Sequence, residues 1–174
     1  FGGGDSLDLV PIGAYWGKGR RTNVYGAYLC ACFDPETDQF QSVCKLGTGF
    51  SDDVLKSLSV KFSKEGMALP EGSKKPLNYH LGDSLSPDVY FHARCVFEVK
   101  AADLSLSSTH KGGIGKPRIP SGRGIGLRFP RFIREREDKN PEHATSAGQV
   151  VDMYFNQDCI EDTAPVEEED DDYL

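Results

Sequence analysis

The stretch LRFPRFIREREDK at residues 127–139 is rich in basic side chains, although the formal net charge of the whole chain is −7. Its cations are Arg128, Arg131, Arg134, Arg136 and Lys139. Guanidinium groups bind phosphates in a bidentate manner, and an apolar ring beside a cation, such as Phe129, can part a base step in a groove of DNA. We therefore predict a surface that contacts phosphates and bases, with a solvated charged strand as the alternative.

A second basic segment, GKGRRTN at residues 17–23, lies between two predicted strands. Its glycines allow the backbone to approach a phosphate closely. Lys18, Arg20 and Arg21 would supply the positive charge for such a contact. The alternative interpretation is an ordinary solvated hairpin turn.

The charge is segregated along the chain. Residues 158–174 contain nine acidic residues and no basic ones, so the first 157 residues carry 20 basic and 18 acidic side chains. Residues 111–134 contain seven Lys or Arg and no acid. This pattern indicates a polyanionic partner for the body of the chain, and the acidic tail is predicted to be disordered.

Several absent patterns argue against a disulfide-rich, metal-binding or membrane-spanning protein. The five cysteines are odd in number and fit no zinc spacing, so we expect a reducing compartment, cytosolic or nuclear, and no metal site. No run of 18 apolar residues is present, so no membrane span is expected. Residues 1–10 lack the features of a signal peptide.

Glycine-rich motifs at residues 108–126 do not match nucleotide-binding fingerprints. GGIGKP is not a P-loop, because His110 lies where the first glycine belongs and Pro117 replaces the Ser or Thr. This segment is predicted to be a flexible loop. The glycines of KLGTGFS (45–51) are expected to form a tight turn into a helix, with phosphate binding by its free N–H groups as an alternative.

Most of the remaining sequence shows strand patterns. The predicted strands are 8–16, 24–33, 39–46, 78–81, 88–91, 94–107 and 125–133. The turn DPETD joins the second and third of these into a hairpin. Pro11 predicts that the first strand is an edge strand or contains a bulge.

Two helices interrupt the strands. Ser51 is a natural N-cap, and Leu55, Leu58 and Phe62 follow at helical spacing, which predicts a helix over 52–65. SAGQ (146–149) fits a capping box for a second helix. We predict an all-β fold: an OB-fold, a five-stranded Greek-key barrel, over residues 1–157 with an inserted helix and a C-terminal helix.

Four sequence blocks carry a family resemblance. DSLDLVPIGAYWGKGRR, CKLGTGFSD, FEVKAADLSLS and LRFPRFIREREDKNPEHATS resemble the C-terminal domain of eukaryotic ATP-dependent DNA ligases, of the DNA ligase I type. The resemblance covers about residues 5–156, and residues 136–139 fit the R-x-D-K core of ligase motif VI. It implies an OB-fold domain that follows a nucleotidyltransferase domain in the same polypeptide.

The resemblance also implies a reaction. ATP adenylates a lysine, AMP passes to the 5′-phosphate of a nick in duplex DNA, and the 3′-hydroxyl displaces it, with Mg²⁺ required. The adenylation motif K-x-D-G is absent from this chain, so we expect the chain alone to be inactive, a monomer, and dependent on upstream nucleotidyltransferase and DNA-binding domains. A nuclear location is expected, with an organellar form as an alternative.

Roles for individual residues follow from the same resemblance. Arg136 and Lys139 would stabilise departing pyrophosphate in the adenylation step, and Asp138 would hold one of these cations. Arg128 and Phe129 would enter the minor groove near the nick.

Other DNA contacts are expected from Lys18, Arg20, Arg21 and Arg131. The residues alone favour Phe129 as a core residue, and the resemblance reverses that expectation. Phe132 and Ile133 are predicted to be core residues.

Two other functions fit part of the pattern. The C-terminal domain of an mRNA-capping guanylyltransferase shares the OB-fold and a related motif VI, but the block DSLDLVPIGAYWGKGRR favours a ligase. A non-catalytic single-strand-binding OB module would use several exposed aromatic residues on one sheet face. In this sequence the strand aromatics occupy mostly apolar positions, which disfavours such a module.

Overall fold

A computed structural model describes residues 5–157 of the chain, and the predicted acidic tail at 158–174 lies outside them. The strands of the described part are β1 (Leu7–Trp16), β2 (Tyr25–Asp34), β3 (Gln39–Leu46), β4 (Tyr79–His80), β5 (Val89–Tyr90), β6 (Phe97–Lys100), β7 (Asp103–Ser107), β8 (Gly124–Arg128) and β9 (Arg131–Glu135). The helices are α1 (Asp52–Lys64) and α2 (Ala147–Phe155).

The strands form a curved main sheet and a short second sheet. The main sheet has the order β4-β3-β2-β1-β6-β9, with β5 also paired to β1, and β7 pairs with β8. The N–H of Phe132 donates to the carbonyl of Thr48 at 2.8 Å, which joins β9 to the segment after β3. The predicted five-stranded barrel is thus formed by β1, β2, β3, β6 with β7, and β8 with β9.

β1 is a central strand in spite of its proline. It pairs with β2 on one side and with β6 and β5 on the other, so the edge-strand alternative is wrong. The register with β2 shifts between Pro11 and Gly13, so the bulge alternative is confirmed. The shift places the residue that lacks an N–H donor at a break in the ladder, where its cost is small.

The long strands predicted at 94–107 and 125–133 are each broken into two. β6 and β9 pair in the main sheet, whereas β7 and β8 pair in the second sheet. Between β8 and β9 the backbone of Phe129 has φ +52°, and Pro130 follows. The apolar alternation at Ile125, Leu127 and Phe129 changes phase at Phe132, and Pro130 lies between them, so the sequence indicates a break here but not the direction of the bend.

Both helices begin as the sequence predicts. The Ser51 side chain accepts a hydrogen bond from the Val54 N–H at the start of α1, and Ser146 forms a complete capping box with Gln149 at the start of α2. α1 covers one end of the core, and α2 packs against β2, β7 and β8. In residues 5–157, neither helix has the length and apolar character needed to cross a membrane.

Aromatic side chains dominate the core. Phe132 is only 7% exposed and stacks on Phe50 with 4.3 Å between ring centroids, which confirms the prediction for Phe132. Ile133 is 40% exposed, so its predicted core position is wrong. Adjacent residues of a strand point to opposite faces, and β9 can therefore bury only one of the two.

The glycine-rich segment 108–126 is fastened to the barrel, so the prediction of a flexible loop is wrong. The Lys111 N–H donates to the Ser42 carbonyl at 2.8 Å, and the Gly113 N–H donates to Gln41 Oε1 at 2.9 Å. Lys116 Nζ lies 2.8 Å from the buried carboxylate of Asp34 in β2. Much of the positive charge in this segment is therefore used inside the domain.

Candidate phosphate-binding surfaces

The corner between β8 and β9 presents an apolar ring next to a cation. Phe129 is 72% exposed, which confirms that it lies outside the core. The Arg128 guanidinium lies 5.5 Å from the centre of the Phe129 ring, and its Nε lies 3.5 Å from Asp103 Oδ1. A single exposed apolar side chain is common on protein surfaces, so the exposure of Phe129 leaves the ring accessible to a partner without showing a contact surface by itself.

The backbone of this corner is held in an unusual conformation. A positive φ is rare for a bulky residue such as Phe129, and such conformations persist where the surrounding structure enforces them. The Ala102 N–H donates to the Arg128 carbonyl at 2.9 Å, and Asp103 pairs with Arg128 in the β7–β8 ladder. These contacts hold the backbone of the corner, from which the Phe129 ring and the Arg128 guanidinium extend.

The backbone of the turn KLGTG (45–49) packs closely against the backbone of β9. Gly49 has φ +94°, and a Cβ built on it would lie 2.4 Å from the Phe132 carbonyl oxygen. Only glycine fits this close approach of two backbones. This supports the structural interpretation of the turn, while its alternative role in phosphate binding stays a prediction. Arg131, at the start of β9, is exposed and forms no ion pair with residues 5–157.

The three basic residues of the loop after β1 differ in their exposure. Lys18 and Arg20 are exposed on a 3-10 turn, as a phosphate contact requires. Arg21 is half-buried, and its Nη1 donates to the carbonyls of Gly26 at 3.1 Å and Gly47 at 2.9 Å. Arg21 thus ties the loop to β2 and to the turn after β3, and the predicted contact with DNA depends mainly on the other two cations.

Four charged residues form a second site, which we call the Arg136 cluster: Asp8, Arg136, Asp138 and Lys139. Arg136 donates from Nε and Nη2 to the two carboxylate oxygens of Asp138, at 3.0 and 2.9 Å. Its Nη1 lies 3.3 Å from Asp8 Oδ1. Lys139 Nζ donates to Asp8 Oδ2 at 2.7 Å. The prediction that Asp138 holds a cation agrees with this geometry, and Asp8 is an additional partner.

Arg136 and Asp138 stabilise each other's charged forms. The hydrogen bonds that Arg136 donates to Asp138 raise the pKa of Arg136 further above its already high value, and the neighbouring charge of Asp8 adds to this. The same bonds from Arg136 hold the pKa of Asp138 well below its usual range. A guanidinium that is held by two carboxylates stays in one orientation, which suits it to meet a polyphosphate at a defined place.

Further ion pairs surround the cluster. Arg134 Nε lies 2.7 Å from Glu98 Oε1, and Lys61 Nζ of α1 lies 2.5 Å from Glu135 Oε2. Beside the cluster, an open groove of about 720 Å³ runs between the end of α1 and the end of β9. Arg136 and Lys139 line this groove, so both cations are accessible from solvent. In residues 5–157, no three His, Cys, Asp or Glu side chains are grouped as a metal site.

Comparison with known proteins identifies the family. The family model described as "ATP dependent DNA ligase C terminal region" matches residues 21–139, which include the corner and every member of the Arg136 cluster except Asp8. The chain belongs to this family. More specifically, it is a C-terminal domain of the DNA ligase I type.

Relatives with similar sequences come from several lineages. The chain is 50% identical to DNA ligase 1 of Dictyostelium discoideum over 170 residues, which is 97% of this chain and 14% of that protein. It is 50% identical to DNA ligase 1 of Arabidopsis thaliana over 154 residues, 88% of this chain and 19% of that protein. The chain thus spans less than a fifth of these ligases.

Solved structures support the fold of the ligase domain. The ligase domain of M. tuberculosis LigD matches with a TM-score of 0.51 and 22% identity, over 81% of this chain and 38% of that one. A mycobacterial DNA ligase D complexed with ATP and MES gives the same TM-score at 20% identity, over 82% of this chain and 38% of that one. The predicted OB-fold is confirmed.

Within the ligase domain, β9 separates the two surfaces. The corner at Phe129 precedes the strand and the Arg136 cluster follows it. The five residues of β9 span about 16 Å at ~3.3 Å per residue. The residues predicted for adenylation and those predicted for the minor groove therefore do not form one site.

Sequence reasoning missed the carboxylates that organise the cluster. Asp8 lies on β1, and 128 residues separate it from Arg136 in the chain. Glu98 on β6 pairs in register with Asp8. A single carboxylate within an apolar strand was the one available signal, because a charge in such a position needs a partner.

Proposed function

We propose that this domain serves two steps of nick sealing by an ATP-dependent DNA ligase, at opposite ends of β9. The Arg136 cluster would act in self-adenylation of the enzyme, and the Phe129 corner would contact nicked duplex DNA during sealing. The observation that carries this proposal is the separation of a preformed cluster of two cations and two carboxylates from an exposed aromatic corner by one strand.

The Arg136 cluster has the properties that the adenylation step requires. As pyrophosphate departs from ATP, negative charge grows on its oxygens, and oriented cations lower the energy of that state. Arg136 and Lys139 are already oriented by Asp8 and Asp138, so little reorganisation would be needed when a nucleotide-bearing domain closes on them.

The corner has the properties that a nick-binding surface requires. Phosphate contacts through Arg128, Arg131, Lys18 and Arg20 would give affinity that does not depend on base sequence. Phe129 would insert at a base step and widen the minor groove beside the nick. A ligase benefits from both properties, because nicks arise in any sequence.

The remaining parts of the activity are assigned to the rest of the polypeptide. We propose that the adenylated lysine and the main Mg²⁺ ligands lie in an upstream nucleotidyltransferase domain, so the isolated chain forms no adduct with AMP. In this domain, Arg136 and Lys139 would contact ATP, and they would contact only its phosphates. A nuclear location and a monomeric state of the isolated domain are part of the same proposal.

The single-strand-binding alternative is less favoured by the structure. Such modules stack bases on several aromatic side chains of one sheet face. Among the described residues, the large aromatic side chains that are exposed are Trp16 and Phe129, and Trp16 already stacks on Tyr25 at 4.8 Å. The exposed rings of Trp16 and Phe129 therefore do not form a continuous platform on which bases could stack.

Removal of the domain tests the proposal at the level of the whole enzyme. A ligase polypeptide that lacks residues 5–157 should lose both self-adenylation with ATP and sealing of a pre-adenylated nick. Adding this chain in trans at high concentration should restore part of both activities. Full retention of either step in the truncated enzyme would show that the domain does not serve that step.

A further inference from the structure

Asp8 lies where its carboxylate is held by the backbone and by its neighbours. The Asp8 N–H donates to Thr145 Oγ1 at 2.8 Å, and the Asp8 carbonyl accepts from the Thr145 N–H at 2.8 Å. The side chain of Asp8 is 15% exposed. Thr145 precedes α2, so the start of that helix fixes the position of this part of β1.

One carboxylate contacts both cations of motif VI. Asp8 Oδ2 accepts from Lys139 Nζ at 2.7 Å, and its two oxygens lie 3.3 and 3.4 Å from Arg136 Nη1. Asp138, by contrast, contacts only Arg136 among these two. Asp8 is therefore the shared partner that sets the spacing of the two positive groups.

These contacts leave donors available for a phosphate. A guanidinium has five N–H donors and an ammonium has three. The contacts with Asp8 and Asp138 use three N–H donors of Arg136, and the contact with Asp8 uses one of Lys139. Two donors remain on each side chain, so the acidic partner does not saturate the cations.

The neighbour of Asp8 across the sheet supports the same conclusion. Glu98 is directly opposite Asp8 in the β1–β6 ladder, and like charges in this arrangement repel each other. Arg134 neutralises Glu98 at 2.7 Å, while Arg136 and Lys139 surround Asp8. The repulsion between the facing carboxylates of Asp8 and Glu98 is therefore offset by the cations of residues 134–139.

We propose that Asp8 is a positioning residue for the adenylation step: it holds Arg136 and Lys139 at the spacing that engages the phosphates of ATP. This inference rests on the proposed role of the Arg136 cluster. Asp8 acts through the two cations and touches no reacting atom. The competing idea is that Asp8 opposes phosphate binding by neutralising the cations, and its removal would then increase the affinity for ATP.

The experiment uses the complete ligase polypeptide with Asp8→Asn, Asp8→Glu, Arg136→Ala and the control Asp83→Asn. Asp83 is exposed and forms no ion pair or hydrogen bond with the described residues. For each variant, the rate of self-adenylation and its dependence on ATP concentration are measured beside sealing of a pre-adenylated nick, which also reports correct folding.

Asp8→Asn should slow self-adenylation about 10- to 100-fold, the range for loss of a group that orients a functional side chain. Sealing of the pre-adenylated nick should change less than about threefold, and Asp8→Glu should recover part of the loss. The control should match the parent. These results would support the positioning role.

Other outcomes overturn it. Unchanged or faster self-adenylation by Asp8→Asn, with Arg136→Ala still impaired, would contradict the positioning role and leave the function of the cluster intact. Unimpaired self-adenylation by Arg136→Ala would contradict both. An equal loss of both steps in Asp8→Asn would show that Asp8 acts only on folding.

Discussion

Phe129 and Phe132 lie three residues apart at one end of β9, yet they face opposite environments. Phe129 is 72% exposed, whereas Phe132 is 7% exposed and stacks on Phe50. The bend at the corner directs one ring out of the barrel and the other into its core. The pair therefore provides its own control for whether the exposed ring serves function or stability.

Alanine substitutions of this pair should have opposite effects. Phe132→Ala should lower the free energy of unfolding by about 3–5 kcal/mol, because it leaves a cavity in the core. Phe129→Ala should lower it by less than about 1 kcal/mol, since the ring is already in water. Urea unfolding of this chain measures both values. A large loss in Phe129→Ala would return that residue to a structural role.

Arg128→Ala should change the salt dependence of DNA binding rather than stability. Its ion pair with Asp103 is half-exposed and is worth at most about 1 kcal/mol. Loss of one phosphate contact should reduce the slope of log K against log salt by about one. Binding of the complete ligase to a nicked duplex at several salt concentrations measures this slope, with exposed Lys74→Ala as a control. An unchanged slope would exclude the phosphate contact.

Arg20 and Arg21 are adjacent, but their substitutions should differ. Arg21→Ala removes two hydrogen bonds to carbonyl groups and should lower the free energy of unfolding by about 1–3 kcal/mol. Arg20→Ala should leave stability unchanged and weaken binding to nicked DNA. Thermal unfolding and DNA titration of both variants test this, and equal stability losses would contradict the assignment.

Buried His110 should make the stability of the domain sensitive to acid. Burial, aided by the nearby charge of Lys111, lowers the pKa of His110 from 6.5 to about 4. Between pH 4 and pH 6.5, His110 binds a proton in the unfolded chain but stays neutral in the folded domain. The stabilisation is complete above pH 6.5 and is lost as the pH falls toward 4.

The expected size of this loss is about 2 kcal/mol between pH 7 and pH 5. Urea unfolding at the two pH values should show it, and His110→Asn should reduce the difference. A part of the slope should remain, because burial also lowers the pKa of His80. An identical pH dependence in His110→Asn would show that His110 does not cause the loss.

Local sequence signals were sufficient for the β2–β3 hairpin and for α1. Alternating residues around a turn define the hairpin, and a capping serine followed by apolar residues at helical spacing defines the helix. At the corner, Pro130 and the change of phase between Phe129 and Phe132 indicate a break in the strand, but they do not indicate the positive φ of Phe129 or the direction of the bend. Contacts across the barrel determine the bend, and a short stretch of sequence does not reveal such long-range contacts.

The same limit applies to the Arg136 cluster. The resemblance of residues 136–139 to motif VI indicated the cations and Asp138, which are neighbours in the sequence. Asp8 becomes the partner of Arg136 and Lys139, and Glu98 that of Arg134, only when β1 and β6 pair beside β9. Arg21 shows the converse, since a cation that resembled a DNA contact has Nη1 bound to carbonyl groups inside the domain.

The central claim is that the two ends of β9 serve different steps, and a crossed assay of Arg136→Ala and Phe129→Ala in the complete ligase tests it most directly. Self-adenylation with ATP and sealing of a pre-adenylated nick are measured for each variant. We expect Arg136→Ala to lose about 100-fold in self-adenylation with a much smaller loss in sealing, and Phe129→Ala to show the reverse pattern. Proportional losses of both steps in both variants would contradict the claim.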